Sequence, residues 1–554
     1  MTAALADPRT DPGTVEQIVA RAGRPDFDRW AEQVARCGYC TRPVRLRGTV
    51  TRTGADGRRS TYSTNDEPDR TLLIRCGNRR ASVCPSCSYE YAGDMWQLLY
   101  AGAAGGRKGV PDSIRAHPLV FATLTAPGFG PVHTTRTNRR GGPGRCRPPK
   151  GKPTLCPHGR PTWCTTIHDQ DDQRLGQPIC ADCYDYAAHV AFNWHAPELW
   201  RRFTITLRRV LAHHAGLTTT AFAKCCRVSF VKVAEYQRRA VVHFHALIRL
   251  DAPGDQFEPC DLPLTATDLA HAIRDAAGLV RLVVDLPDDS GSPAAAQSSP
   301  LPVGHGQQSN GENPVPDGIV PSTIIDDRND HPAAHPHRVD EPENHGTSGN
   351  TRPRPTPSQP PTGTTAHTSS IRQTDQLVLR FGTQTDTQAI NGGPAGELTP
   401  ERVAAYIAKY ATKSADDFGV GDRRISLDAL PLLGVSPHVT RIVETCWQLG
   451  EHQAYEGLRR GLHMLGFRGH FASKSRRYST TLGALRAERR TYARTHAAAA
   501  EDAREIPDED TTLVISHWQF TGLGYLTTGD TALALSAAAR ARERRQAARD
   551  AAGD

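Results

Sequence analysis

Hydrophobic positions along the chain follow two periods, parted by long polar tracts. Residues 13–36 carry Val15, Ile18, Val19, Trp30 and Val34 as a helical stripe broken near Pro25. The stretch "HPLVFATLTAPG" (117–128) predicts a strand ending in a Pro-Gly turn. Between 196 and 216, Leu199, Phe203, Leu207, Val210 and Leu211 recur at helical spacing, with Gly216 as the stop. Two strands follow, 227–237 and 240–250, separated only by Arg238 and Arg239, which predicts a hairpin. Residues 264–278 predict a helix capped by Thr265 or Thr267. Strands are predicted at 279–286 and 375–390, and helices at 399–414 and 529–549. The mixture predicts an α+β fold.

The polar tracts are of two kinds. Residues 287–374 are rich in Pro, Ser, Gly, Asn and Thr, with few large hydrophobes. Such a tract buries too little apolar area to offset a chain entropy of ~1–2 kcal/mol per residue, so disorder is expected there. Blocks at 37–91 and about 135–183 hold ten of the fourteen cysteines, largely as CxxC pairs. No run of eighteen apolar residues exists, and the N-terminus "MTAALADPRTDPG" lacks the basic and apolar regions of an export signal. A cytoplasmic protein with no membrane partner is therefore expected, in which thiolates hold metal rather than form disulfides. Cys37, Cys40, Cys84 and Cys87 form two CxxC knuckles, enough for a four-thiolate structural zinc site, with Cys76 as an extra thiol nearby. Cys156, Cys164, Cys180 and Cys183 offer a possible second site, with Cys146, His158 and His168 as competitors. Cys225, Cys226, Cys260 and Cys446 lack ligand spacing and are read as packing residues.

Charge adds one step. Lys and Arg exceed Asp and Glu by 8, and the pI near 8.8 suits a polyanionic partner. Arg75, Arg79 and Arg80 flank one knuckle, and "SKSRRY" supplies Lys474, Arg476 and Arg477; all six are candidates for phosphate neutralisation.

The chemistry concentrates at two places. In "EYQRRAVVHFHALIRL" (235–250), His243 and His245 point to one face of a strand. A hairpin closing around Arg238–Arg239 brings Glu235 beside them, giving a carboxylate and two imidazoles that suit Mg²⁺ or Mn²⁺. In "LTPERVAAYIAKYATKSADD" (398–417), Tyr406, Tyr410, Lys409 and Lys413 share one helix face, and Ala404, Ala408 and Ala411 line the other. A tyrosine that attacks a phosphodiester needs charge neutralisation and alignment, which a held cation supplies. Lys409 or Lys413 favours the phenolate or contacts phosphate, and the resulting phosphotyrosine ester keeps the strand activated without a nucleotide cofactor.

These segments resemble the HUH endonuclease superfamily, and within it the rolling-circle replication initiators of actinomycete plasmids and integrative conjugative elements. "FATLTAPG" is similar to the first motif, "AEYQRRAVVHFHALIRLD" to the metal motif and "YIAKYATK" to the tyrosine motif, in the superfamily's order; "RFGTQTD" (380–386) and "GHFASKSRRYSTT" also resemble initiator segments. The resemblance implies an antiparallel sheet carrying the histidines, with the tyrosine helix packed across it. It implies a single-strand nick at a double-strand origin that leaves a 3′-hydroxyl and a 5′-phosphotyrosine, with double-stranded origin DNA, single-stranded DNA and host helicase and polymerase as partners. Tyr410 is favoured for the first cleavage; Tyr406 is either a second nucleophile or structural. Ala240 stands where relatives often have glycine. The relaxase pattern is absent, because no third histidine follows His245 closely. On this reading the units are a helical segment (1–36), a zinc-ribbon-like block (37–92), a nuclease domain in two parts (93–286 with the insertion 135–185, and 375–482), the polar tract (287–374) and a helical tail (483–554). A non-catalytic zinc-ribbon regulator, a metallohydrolase of small substrates and an HUH-type transposase are the competing readings.

Overall fold

A computed structural model describes residues 11–54, 57–149, 151–254, 257–286, 376–390, 398–413, 415–421, 423–500 and 513–552. The tract at 287–374 lies outside the described residues. In chain order the elements are α1 (Pro12–Ala22), α2 (Phe27–Arg36), β1 (Val44–Thr53), β2 (Arg59–Ser63), β3 (Leu72–Ile74), α3 (Pro85–Ala104), β4 (Leu119–Leu124), β5 (Arg136–Thr137), β6 (Pro143–Gly144), α4 (Tyr186–His214), α5 (Thr219–Cys225), β7 (Arg227–Tyr236), β8 (Val242–Asp251), α6 (Ala266–Leu279), β9 (Leu282–Asp285), β10 (Gln376–Leu379), β11 (Thr385–Ala389), α7 (Pro400–Ala411), α8 (Pro437–Leu449), β12 (Ala472–Lys474), α9 (Leu482–Ala500), β13 (Leu513–Leu523) and α10 (Thr528–Ala552). The fold is mixed α+β, and the described strand pairs are antiparallel.

The central sheet runs β11-β4-β8-β7-β12 and is covered on both faces. Val120, Ala122, Leu124, Phe230, Phe244, Ala246 and Ile248 face α4, whose Leu199, Phe203 and Leu207 complete the larger core. Leu119, Val231, Val233 and Leu247 face the other way, under Met95, Leu98 and Leu99 of α3 and Val403 and Ile407 of α7. Burial on both faces is why β7 and β8 read as nearly continuous hydrophobic runs rather than alternating ones. Arg249 and Asp251 are fully buried beneath the second face; Arg249 Nε donates to Asp251 Oδ1 at 2.6 Å, and its other nitrogens donate to the carbonyls of Gly102 and Tyr478. That pair ties β8 to α3 and to the segment after β12.

The β7–β8 turn departs from the spacing expectation in a way that matters. A two-residue loop of Arg238 and Arg239 pairs Glu235 with Val242 and turns the carboxylate away from His243, since residues directly opposite in an antiparallel pair share a face. Instead Gln237 N donates to Val241 O at 2.8 Å, leaving a three-residue loop with Ala240 at φ +62°. The register is then Glu235↔His243 and Val233↔His245. A three-residue hairpin loop closes with a left-handed residue, usually glycine; here alanine takes that conformation. The turn is gripped from α4. His189 Nε2 and Asn193 Nδ2 both donate to Ala240 O at 3.0 Å, and Val242 N donates to Asn193 Oδ1 at 3.0 Å. From α8, His438 Nε2 donates to Arg239 O at 3.1 Å.

Four other expectations need correction. Helix α4 begins at Tyr186, ten residues before the predicted start, because Asp185 caps it and Pro197 is accommodated inside the helix. Residues 375–390 divide into β10, which pairs with β9, and β11, which joins the central sheet. The C-terminal segment is not only helical: β13 pairs with β1 from Val44↔Leu523 to Thr53↔Leu513, and α10 packs on α1. Helix α1 buries Thr14 and Arg21 rather than its predicted stripe, with Val15 and Val19 left 44% and 66% exposed. Arg21 bonds Asp530 at 2.6 Å and Asp69 at 2.8 Å, so both chain ends close on the cysteine block.

Burial lowers His438 to about 4, and His189 falls well below its ordinary value for the same reason; Tyr186 and Tyr184 hydroxyls face their Nδ1 atoms, and Arg239 is the charged neighbour. Both are neutral when folded, whereas an unfolded histidine gains a proton near pH 6.5, so the stabilisation is full above that pH and lost as pH falls toward 4. Melting temperature measured from pH 7.5 to 4.5 is expected to fall steeply below about 6.5, and His438→Gln is expected to lower it at pH 7.5 while flattening the acid limb.

Candidate metal centre and tyrosine helix

The register just described places Glu235, His243 and His245 on the face that α7 crosses. His243 Nε2 and His245 Nε2 each lie 3.0 Å from Glu235 Oε2. An ion with ~2.1 Å bonds to cis ligands has an edge of about 3.0 Å, which both carboxylate–imidazole separations match, and the three residues form a group that could hold a divalent cation. Thr123 of β4, across from His245 in the sheet, places Oγ1 3.1 Å from His245 Nδ1. When Nδ1–H donates to the Thr123 hydroxyl oxygen, the Nε2 lone pair is left free for a cation in the cluster. Burial pushes the Glu235 carboxyl up, but hydrogen bonds from His243 and His245 and the Lys413 ammonium outweigh it and hold the group at about 2. Burial, against the Glu235 bond, holds His245 below its ordinary value. At neutral pH the cluster is thus a carboxylate with at least one neutral imidazole, the protonation state a metal requires.

Helix α7 starts at Thr399, whose side chain accepts from Arg402 N, with Pro400 in its first turn. Val403, Ala404, Ile407, Ala408 and Ala411 are buried against α3 and the sheet, which turns Tyr406 and Tyr410 over the metal-ligand face. The Tyr410 ring lies 5.2 Å from His245 at 29°, and the Tyr406 ring lies 5.5 Å from His245 at 83°. Lys413 Nζ donates to Glu235 Oε1 at 3.0 Å and sits 4.5 Å from the Tyr410 ring centroid. Lys409 is exposed and adds no hydrogen bond or ion pair to the cluster. Burial and a hydrogen bond with Tyr410 push the Tyr406 phenol up.

Residues that the sequence singled out for another role complete the arrangement. Arg79, grouped with phosphate-binding cations, is buried; its Nη1 donates to Ala411 O at 3.0 Å and Lys413 O at 2.7 Å, fastening the C-terminus of α7. Lys474 is likewise fully buried and donates to Arg476 O at 3.0 Å. Neither is placed to touch phosphate. Arg75 pairs with Glu90, Arg80 is half-buried, Arg476 is exposed and Arg477 half-buried. "RFGTQTD" meets "FATLTAPG": Thr125 Oγ1 donates to Gln384 O at 2.6 Å, and Asp386 pairs with Thr123. A groove of about 1310 Å³ opens beyond β4, with Arg136, Arg147, Lys152, Trp163, Arg281 and Arg380 among its lining residues.

The cysteine blocks form three clusters of potential metal ligands. Cys40, Cys76, Cys84 and Cys87 converge, so Cys76 and not Cys37 completes the first quartet. Cys37 follows the end of α2, and its thiol is turned back to donate to Val34 O at 3.3 Å. Backbone N–H groups of Thr41 and Cys87 point at Cys84 Sγ, both at 3.4 Å, as they do at metal-bound thiolates. The set expected in the second block divides: Cys156, Cys180 and Cys183 join His158, while Cys164 joins His133, Cys146 and His168. Among the described residues, no helix is long and apolar enough to cross a membrane.

The family model described as "Replication initiator protein, pSAM2" (RepSA) matches residues 26–309 and 328–539. The chain is 37% identical to a replication initiator protein of Streptomyces ambofaciens over 557 residues, covering 99% of this chain and 98% of that one. No solved structure matches. If Arg79 fastens α7 as its contacts indicate, Arg79→Ala should cost about 1–3 kcal/mol in urea unfolding and raise hydrogen exchange at the amides around Lys413, whereas Arg476→Ala should change neither.

Proposed function

Because this chain belongs to the RepSA family of replication initiator proteins, we propose that it starts rolling-circle replication by nicking one strand at a double-strand origin, with Tyr410 as the attacking group. The observation that carries this reading is the cluster of Glu235, His243 and His245 under the Tyr406–Tyr410 stripe, with Lys413 bridging carboxylate and phenol. A divalent ion, Mg²⁺ or Mn²⁺, held there supplies charge neutralisation at the scissile phosphate. The residues of the chain do the rest. Tyr410 loses its proton, its oxygen bonds phosphorus, and the 3′-oxygen leaves and is protonated, which gives a 5′-phosphotyrosine and a 3′-hydroxyl that primes synthesis. The Lys413 ammonium, 4.5 Å from the Tyr410 ring centroid, places positive charge beside the attacking group. Tyr406, held protonated, donates to its neighbour and orients it. The role of second nucleophile remains open to it in the terminating transfer.

The reading also assigns partners. The single strand is drawn toward the groove that Arg136, Arg147, Lys152, Arg281 and Arg380 line, where Trp163 offers a face for base stacking. Cys40, Cys76, Cys84 and Cys87 hold a structural zinc: four thiolates leave no open position for chemistry. Host helicase and polymerase are then recruited to the nicked origin.

Incubation with supercoiled origin DNA and Mg²⁺ or Mn²⁺ should give relaxed circles and a covalent protein–DNA adduct. Tyr410→Phe should lower adduct formation at least about 10³-fold, and Tyr406→Phe by less than about 10-fold on the first cleavage. Adduct formation that survives the double substitution would overturn the assignment of the attacking group. His243→Ala should abolish both the nick and Mn²⁺ binding read by calorimetry; DNA binding with no nick by the wild type favours the regulator reading instead.

A further inference from the structure

Between β4 and α4 the chain runs through residues 129–185 with little regular structure. Two strands of two residues, β5 and β6, and one short 3-10 turn are its elements. Its buried positions from 131 to 183 are Cys146, His168, Leu175, Gly176 and Cys180, and no hydrophobic cluster of its own forms among the described residues. Its cysteines are free thiols. A segment of this length without a core does not offset its ordering entropy unless something staples it.

Two quartets of donors converge inside it. In one, His133 Nδ1 lies 3.1 Å from His168 Nε2, Cys146 Sγ lies 3.9 Å from His133 Nδ1, and Cys164 Sγ lies 3.6 Å from His168 Nε2. In the other, His158 Nδ1 lies 3.3 Å from Cys183 Sγ and 3.9 Å from Cys180 Sγ, with Cys156 completing the set. A tetrahedral ion with bonds of ~2.0–2.3 Å spaces its ligands by about 3.3–3.8 Å, which these separations match within a few tenths of an ångström. The remaining nitrogen of His168 bonds Asp172 Oδ2 at 2.7 Å, and Arg174 fixes Asp172 at 2.8 Å. A carboxylate behind the imidazole is the usual support of a metal-bound histidine. Thr134 N also points at Cys146 Sγ, at 3.3 Å.

The order of ligands is informative. The pairs His133/Cys146 and Cys164/His168 belong to one quartet, and the intervening Cys156/His158 and the following Cys180/Cys183 to the other, so the two sites interlock along the chain. Neither loop can open without straining the other. The interlocked segment also meets the β7–β8 turn. Gly176, at φ +86°, lies so close that a Cβ there would stand 2.2 Å from Arg238 O. Directly after Cys183, the Tyr184 hydroxyl bonds His189 Nδ1 at 3.1 Å, and His189 holds Ala240 O.

We propose that residues 131–183 are a cross-braced module holding two zinc ions, one on His133, Cys146, Cys164 and His168 and the other on Cys156, His158, Cys180 and Cys183, and that this module anchors the turn of the β7–β8 hairpin. The proposal stands whether or not the chain nicks DNA. Zinc analysis of the purified, reduced full-length protein should find three ions per chain, counting the Cys40 quartet. The double variants Cys146→Ser/Cys164→Ser and Cys180→Ser/Cys183→Ser should each lose one, while His133→Cys keeps all three. Cobalt replacement of the wild type needs no variant: thiolate-to-cobalt absorption should correspond to nine thiolates rather than the four of a single all-cysteine site. A single ion per chain with a four-thiolate spectrum overturns the two-zinc module. Hydrogen exchange at the amides of Ala240 and Val242 should rise at least about 10-fold in the Cys180→Ser/Cys183→Ser variant while amides around Cys84 are unchanged; unchanged exchange at the turn, with the zinc lost, overturns the anchoring role.

Discussion

The pairing of Glu235 with His243 is the constraint on which the metal-ligand cluster rests. Side chains alternate along a strand, so a one-residue slip in this hairpin sends the carboxylate to the α4 face and leaves two histidines without an anion beside them. What fixes the register is the turn, and the turn needs a residue at positive φ. Alanine accepts that conformation at a cost of about 1–2 kcal/mol. Its carbonyl, taking one bond each from His189 and Asn193, offsets the cost, since each such bond contributes about 1 kcal/mol. The strain of the loop is therefore borne by α4, on the opposite side of the sheet from the ligands it positions.

The second half of the arrangement is carried by small residues and one arginine. Ala404, Ala408 and Ala411 let α7 come close to α3 and the sheet, so the tyrosines reach the cluster without a gap. A helix C-terminus leaves carbonyls unsatisfied, and Arg79 takes two of those near the end of α7. Arg79 lies only three residues beyond Cys76, so the first thiol quartet and the tyrosine helix are fastened through one short stretch of backbone. The same block is clamped from the far end of the chain, where Tyr525 donates to Cys40 O at 2.8 Å.

Much of this was legible in the sequence because it is local. Strand alternation put His243 and His245 together, helical spacing put Tyr406, Tyr410 and Lys413 on one face, and Thr265 or Thr267 announced the start of α6, where Thr265 forms a capping box with Asp268. What was not legible depends on contacts between distant segments. CxxC spacing nominates Cys37 as readily as Cys40, and only the approach of β3 brings Cys76 in to replace it. Arg79 and Lys474 carry the composition of a DNA-binding surface, yet their burial is decided by α7 and by the close of the sheet. Strand β13 pairs with β1 across more than 450 residues of sequence, a partner that no local pattern specifies. The two-residue hairpin was the expectation of the commonest loop length, and it failed because Ala240 gives no compositional sign of a left-handed residue.

The two tyrosines one helical turn apart are not interchangeable. Residues at i and i+4 are displaced by about 6 Å along a helix axis, so a phosphate placed for one hydroxyl is not in line for the other. Tyr410 stacks on His245 and lies beside the Lys413 ammonium, whereas Tyr406 meets His245 and Phe121 edge-on and is 43% exposed. Their surroundings separate them further: burial, a hydrogen bond with Tyr410 and the nearby Glu235 carboxylate disfavour a phenolate on Tyr406. On the nicking reading, whichever tyrosine holds the cut strand removes its own oxygen from contention. Sequential use of two tyrosines would then be set by a shift of the phosphate of about 6 Å along one short helix face rather than by a rearrangement of the fold.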